Sequence, residues 1–136
     1  MVIRILTTGG TFDKKYNEID RVMMIDSLDM TEKDRLMIAE KCLETPEARI
    51  VITHGTDTMV DTARILAGSV KEKTIVLTGA MIPYSFGNSD GMFNLGSVIS
   101  FVQLLPHGVY IAMNGECFTW DNVQKNRELG RFEAIR

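Results

Sequence analysis

Apolar and polar positions along the chain alternate between short continuous runs and stripes at helical spacing. Val2 to Leu6, Arg49 to Thr53, Lys73 to Thr78 and Gly108 to Met113 are short runs rich in β-branched residues. Such runs read as strands covered on both faces. Leu36, Met37, Ala39, Cys42 and Leu43 form a stripe that predicts a helix over Glu32 to Glu44. A second helix is expected from Asp57 to Gly68, with Met59, Val60, Ala63, Leu66 and Ala67 inward. A third is expected from Gly91 to Leu105, with Phe93, Leu95, Val98, Ile99, Val102 and Leu105 inward. Thr31 and Asp34 resemble a capping box, and Asp90 is placed to cap the third helix. Thr45-Pro46 and Pro106 stop the helices that precede them. Val22 to Ile25 reads as a short strand, Phe12 to Arg21 as a polar loop, and Glu116 to Arg136 stays ambiguous, with a hairpin among its readings. Strands alternating with helices indicate an α/β domain with a mostly parallel sheet and right-handed crossovers.

The most informative stretch runs from Val51 to Ala63: a buried strand, a turn at Gly55, then helix. Ligands in open parallel sheets bind beyond the carboxyl ends of strands, so Thr56 and Asp57 stand where chemistry is usually done. Taken alone, the stretch favours a plainer reading, in which both residues only cap the helix. Gly9-Gly10 follows the first strand and offers backbone N–H groups for an anion. It lacks the Gly-Lys-Ser/Thr ending of a Walker loop and the G-x-G-x-x-G spacing of a dinucleotide site. The long segment from Gly79 to Ser89 is a further candidate functional loop.

Composition narrows the function classes. The chain of 136 residues suits one compact domain that needs no staples. A net charge of −3 gives no electrostatic case for nucleic acid or an anionic membrane. No apolar run approaches the ~18 residues of a membrane span, and Arg4 interrupts the N-terminal run that a signal peptide would need. Cys42 and Cys117 have no metal-ligand spacing and read as reduced thiols of a cytoplasmic protein, although a bridge stays open. The nine methionines read as core gap-fillers.

Three stretches in order carry a resemblance: Leu6-Thr7-Thr8-Gly9-Gly10-Thr11, Ile52-Thr53-His54-Gly55-Thr56-Asp57-Thr58-Met59 and Gly79-Ala80-Met81-Ile82-Pro83. Ser89-Asp90-Gly91 with Phe93-Asn94-Leu95 adds a fourth. Together they resemble the bacterial-type L-asparaginase family, which writes them T-G-G-T, H-G-T-D-T, G-A-M-x-P and S-D-G-x-x-N-L. The resemblance implies a single flavodoxin-like doubly wound domain over residues 1–136, with helices on both faces. It also implies a smaller C-terminal domain, expected to be absent from this chain.

The same resemblance assigns roles. Thr11 matches the nucleophile, Thr56 and Asp57 the second threonine and its aspartate, and Lys125 the lysine completing a Thr–Lys–Asp set. Tyr16 matches the tyrosine of the loop after T-G-G-T. Gly10, Ser27, Gly55, Thr56, Asp57, Ala80 and Met81 match substrate-lining positions, with Ser27 on the α-carboxylate and Asp57 on the ammonium. Leu28 stands where the family often carries glutamine.

The chemistry is coherent. A threonine hydroxyl is a weak nucleophile and needs a base, and a lysine serves as one only with a lowered pKa. Burial lowers it and an ion pair with Asp57 raises it, a balance the sequence leaves open. Backbone N–H groups around Gly10 and Thr56 are candidate oxyanion donors.

The expected function is hydrolysis of the side-chain amide of L-asparagine, or a similar small amide, with no metal or cofactor. The expected assembly is a homodimer or larger homo-oligomer. His54, Ser27 and Lys125 also have plain readings, as a residue packed beside the turn, a turn residue and a solvated lysine. Two other classes stand beside the enzyme: a non-catalytic amino-acid-binding or partner domain that keeps the pocket, and a glutaminase-type part of an amidotransferase.

Overall fold

Strand β3 (Arg49–Thr53) is the centre of the structure, a computed structural model that describes residues 1–9, 20–82 and 88–136. Its Ile50, Val51 and Ile52 are fully buried. Ile50 and Ile52 face one side of the sheet and Val51 the other, as a period of two requires. On one side β3 pairs in parallel with β1 (Arg4–Thr7), and on the other with β4 (Thr74–Thr78). Beyond β1 lies β2 (Asp20–Arg21); beyond β4 lies β5 (Gly108–Met113), then the antiparallel edge strand β6 (Glu116–Thr119). The order β2-β1-β3-β4-β5-β6 contains the flavodoxin-like arrangement, with helices on both faces.

Three helices cover the sheet. Helix α1 (Glu32–Glu44) opens on a complete capping box, in which Thr31 and Asp34 satisfy each other's backbone N–H groups. Its buried face is Arg35, Ile38, Ala39 and Cys42, whereas Leu36, Met37 and Leu43 are exposed. The helix is turned from its apolar stripe because Arg35 has buried partners: its guanidinium donates to Thr62 Oγ1 and to the Met30 carbonyl. Helix α2 (Met59–Ser69) packs beside α1 on the same face, through Met59, Ala63 and Leu66. Helix α3 (Gly91–Leu104) lies on the opposite face, where Val98 and Val102 meet Val51, Val76 and Ala112. Phe93, expected inward, is exposed. Of the methionines, Met30, Met59 and Met113 are buried, while Met24, Met37 and Met92 are exposed.

This placement corrects the expectation of uniformly right-handed crossovers. The steps from β3 to β4 and from β4 to β5 run the same way across the sheet. Their helices, α2 and α3, lie on opposite faces. The two crossovers therefore have opposite hands. A long connection between Thr78 and Gly91 separates α3 from the twist of β4, the coupling that normally imposes one hand.

The segment after β2 differs from expectation, and the chain after β5, left open by the sequence, forms antiparallel pairs. Val22 to Ile25 is not a strand; the pairing ends at Arg21, Val22 and Met23 N–H both reach the Thr7 carbonyl, and Ile25 N–H reaches that of Thr8. Asn114-Gly115, both at positive φ, makes a two-residue hairpin turn between β5 and β6. The chain then forms an antiparallel ribbon, β7 (Gln124–Asn126) with β8 (Arg131–Glu133). Buried Val123 and Phe132 dock this ribbon into the core on the α1–α2 side.

Beneath the end of β3, Thr62 Oγ1 accepts from Arg35 and sits 2.7 Å from His54 Nε2. His54 Nδ1 lies 2.6 Å from the Gly55 carbonyl, which can only accept. The imidazole therefore carries its proton on Nδ1 and accepts from Thr62 at Nε2. Burial pulls the His54 pKa down from 6.5 to about 4, keeping the ring neutral.

Two outcomes follow. The unfolded state binds a proton at His54 that the folded state refuses between pH 6.5 and about 4. Stability should thus fall as pH drops through that window, by up to ~1.4 kcal/mol per pH unit. Urea melts of His54→Gln against wild type should show a flatter dependence there; equal slopes would refute the buried neutral ring. Separately, Gly9 has φ +140°, and a Cβ there would lie 2.0 Å from the Ile25 carbonyl oxygen. Gly9→Ala should cost at least ~2 kcal/mol in the same melts.

Candidate functional site

In this strand order β1 and β3 are neighbours whose chains depart in opposite directions, to β2 and to β4. A crevice opens at such a switch point, beyond the carboxyl ends of the strands. The turn after β3 carries Gly55, Thr56 and Asp57 to that edge. The chain after β1 enters the segment with Gly10, Thr11 and Tyr16, which lie outside the described residues.

Thr56 and Asp57 do not cap α2. Its first flanking residue is Thr58, which makes no side-chain cap and instead donates its hydroxyl to the Ser27 carbonyl at 2.7 Å. The side chains of Thr56 and Asp57 turn to the ribbon. Lys125 Nζ donates to Thr56 Oγ1 at 2.8 Å and to Asp57 Oδ1 at 2.7 Å. Lys125 comes from a part of the chain far from both, and its position follows from the ribbon's docking. Phe132, 2% exposed, is its direct cross-strand partner. Opposed residues share one face of an antiparallel pair, so burying Phe132 turns Lys125 toward β3. The Lys125 side chain is 15% exposed and that of Asp57 28%.

Arg127 joins the same carboxylate. Its guanidinium donates to Asp57 Oδ1 at 2.7 Å and to the Asp57 carbonyl at 3.3 Å. The hydrogen bond from Lys125, aided by Arg127, holds the Asp57 carboxyl below the ordinary carboxylate range, against the opposing effect of burial. The sequence reading missed Arg127. It lies in the turn just past β7, two residues beyond Lys125, and no local pattern marks it.

Ser27 is buried in a short 3-10 turn, Ser27–Asp29, held by the Asp26 side chain. It packs directly on Gly55: a Cβ on that glycine would lie 2.8 Å from Ser27 Oγ. The serine and the Thr56–Asp57 turn thus share one wall, and Gly55 permits the approach. Leu28 is exposed.

Ala80 and Met81 form part of a different support. Asp90 does not cap α3; its carboxylate accepts from the backbone N–H groups of Met81 at 3.1 Å and Ile82 at 2.9 Å. It also accepts from the amides of Asn94 and Asn114. Burial pushes the Asp90 carboxyl up, but the bonds from Ile82, Met81 and Asn114 outweigh it and hold it below the usual range. Asn94, 1% exposed, also donates to the Gly79 carbonyl and accepts from Asn114 N–H. The start of the long loop is therefore pinned, and the Met81 N–H is committed to Asp90. Ser89 Oγ takes over the cap, accepting from Gly91 N–H.

No group of three or more His, Cys, Asp or Glu side chains among the described residues could hold a metal ion. No described helix is long and apolar enough to cross a membrane.

Comparison with known proteins agrees with this geometry. The model of the asparaginase N-terminal domain matches residues 12–135. The chain is 37% identical over 114 residues to a probable periplasmic L-asparaginase of Haemophilus influenzae, covering 78% of this chain and 32% of that one. It superimposes on a probable cytoplasmic L-asparaginase of Campylobacter jejuni with a TM-score of 0.86 and 29% identity, covering 97% of this chain and 51% of that one. The thermostable L-asparaginase of Thermococcus kodakarensis gives a TM-score of 0.87 and 26% identity, covering 99% and 51%. This chain therefore spans about a third of the length of the curated relative and half that of the solved structures. A parallel sheet of this order, with a Thr–Lys–Asp cluster at its switch point and a family match over nearly its whole length, belongs to the asparaginase family.

Proposed function

We propose that the chain is an amidohydrolase that converts the side-chain amide of L-asparagine, or a similar small amide, to the acid and ammonia. The observation that carries this reading is Lys125 Nζ shared between the Thr56 hydroxyl and the Asp57 carboxylate at the switch-point edge. In the proposed reaction the Thr11 hydroxyl attacks the amide carbon, giving up its proton as the C–O bond forms. The C–N bond then breaks and the nitrogen leaves as ammonia, taking a proton. Water next attacks the Thr11 ester and restores the hydroxyl.

Thr56 and Lys125 provide a positioned route for protons, with Asp57 fixing the lysine. Asp57 also offers a carboxylate to the substrate ammonium, and Ser27 stands for its carboxylate on the wall beside Gly55. Backbone N–H groups near Gly10 and Thr56 are the proposed oxyanion donors, each worth ~3 kcal/mol. Tyr16 is proposed for the loop over the nucleophile. The Met81 N–H is left out of the donor set because it is bound to Asp90.

We also place the chain in the cytoplasm, as a homo-oligomer. Its two cysteines are free, and burial raises the Cys42 thiol to about 12 and the Cys117 thiol to about 11, which keeps both protonated and unreactive. Exposed Met92, Phe93 and Leu104 on α3 support self-association.

Ammonia release from L-asparagine tests the enzyme. Thr11→Ala and Lys125→Met should each lower turnover by at least ~100-fold with an unchanged circular dichroism spectrum. Wild-type turnover in both variants would refute the mechanism. Amino-acid binding by a folded wild type that releases no ammonia would establish the binding-domain reading instead. Sedimentation at several concentrations should show a dimer or larger species; a monomer throughout would refute the oligomer.

A further inference from the structure

We propose that Arg127 is a specificity-determining residue. It biases this site against amides carrying a free α-ammonium and toward carboxylate-bearing ω-amides that lack one. The inference rests on the proposed role of Asp57 as the group facing the substrate's α-position. Asp57 Oδ1 already accepts from two cations, Lys125 Nζ and an Arg127 nitrogen, both at 2.7 Å. Arg127 is tied a second time, to the Asp57 carbonyl. One negative charge therefore faces two positive ones. An ammonium arriving at that carboxylate must either displace the guanidinium or sit beside it as a like charge. A substrate without the ammonium leaves the pair intact, and its carboxylate gains from the surplus cation.

The Arg127 side chain is 61% exposed, so its hold on Asp57 is the weak grip of a solvated ion pair and the bias is graded, not absolute. Lys125 cannot be the discriminating cation. At 15% exposed it is bound to both Thr56 and Asp57, whereas among the described residues the Arg127 side chain bonds to Asp57 alone. Arg127 also emerges where the ribbon turns back from β7 to β8.

The test compares matched ligands that differ only in the α-ammonium. L-Aspartate and succinate are titrated calorimetrically into wild type, Arg127→Gln and Arg127→Lys. L-Asparagine and succinamate are assayed for ammonia release in the same proteins. Arg127→Gln should move both preference ratios about tenfold toward the ammonium-bearing ligand, the scale of removing one nearby, partly screened charge. Arg127→Lys, which keeps the charge, should stay near the wild-type ratio. An equal change for both ligands, or none, would reduce Arg127 to a surface ion pair and overturn the inference, as would failure of either acid to bind. Binding without ammonia release from wild type would sink the hydrolase reading, while the calorimetric ratio would still decide the role of Arg127.

Discussion

Burial of β3 on both faces is the constraint from which the site follows. Ile50, Val51 and Ile52 have no solvent exposure, and parallel neighbours on either side satisfy the strand's backbone. A strand so held cannot slip by one residue without reversing every side chain. Its carboxyl end is therefore a fixed point, and Gly55, Thr56 and Asp57 leave it in a defined direction. Beneath that point the Arg35–Thr62–His54 chain of hydrogen bonds ends on the Gly55 carbonyl. The turn is thus fixed from below by buried polar groups that satisfy one another, an arrangement that rigidifies when complete.

Two further supports converge on the same edge from opposite faces. From the α1–α2 side, Phe132 is buried and its cross-strand partner Lys125 is delivered to Thr56 and Asp57. From the α3 side, Asp90 gathers the N–H groups of Met81 and Ile82 and the amides of Asn94 and Asn114. The change of hand between the α2 and α3 crossovers puts α3 on the face opposite α2. This allows Asp90, at the start of α3, to restrain the loop after β4 without competing for space with the ribbon. An unusual topology and a local polar network are thus two parts of one arrangement.

Electrostatically, the edge is a carboxylate answered by more than its own charge. Lys125 is mostly buried and doubly engaged, so it acts as part of the framework. Arg127 is solvated and singly directed, so it behaves as an adjustable counter-ion. The same atom, Asp57 Oδ1, therefore meets one rigid and one yielding cation. Under the proposed roles, that separates holding the Thr56–Lys125–Asp57 set together from choosing what binds to it.

The order of strands and helices as far as β5, the capping box at Thr31 and Asp34, and the sheet interior were legible from the sequence, because each depends on neighbours within a few positions. The motifs at Gly9, His54 to Thr58 and Gly79 to Met81 marked the strand ends for the same reason. Tertiary structure decided the rest. Leu36, Met37 and Leu43 look inward on a helical wheel, but buried partners for Arg35 turned α1 the other way. Thr56, Asp57 and Asp90 look like caps, because a side-chain oxygen at a helix start has that local use; each found a different partner here. Sequence resemblance alone picked out Lys125, and neither resemblance nor pattern picked out Arg127, since a contact across some 70 residues leaves no mark on its neighbours. Only the docking of Phe132 into the core brings those cations to Asp57.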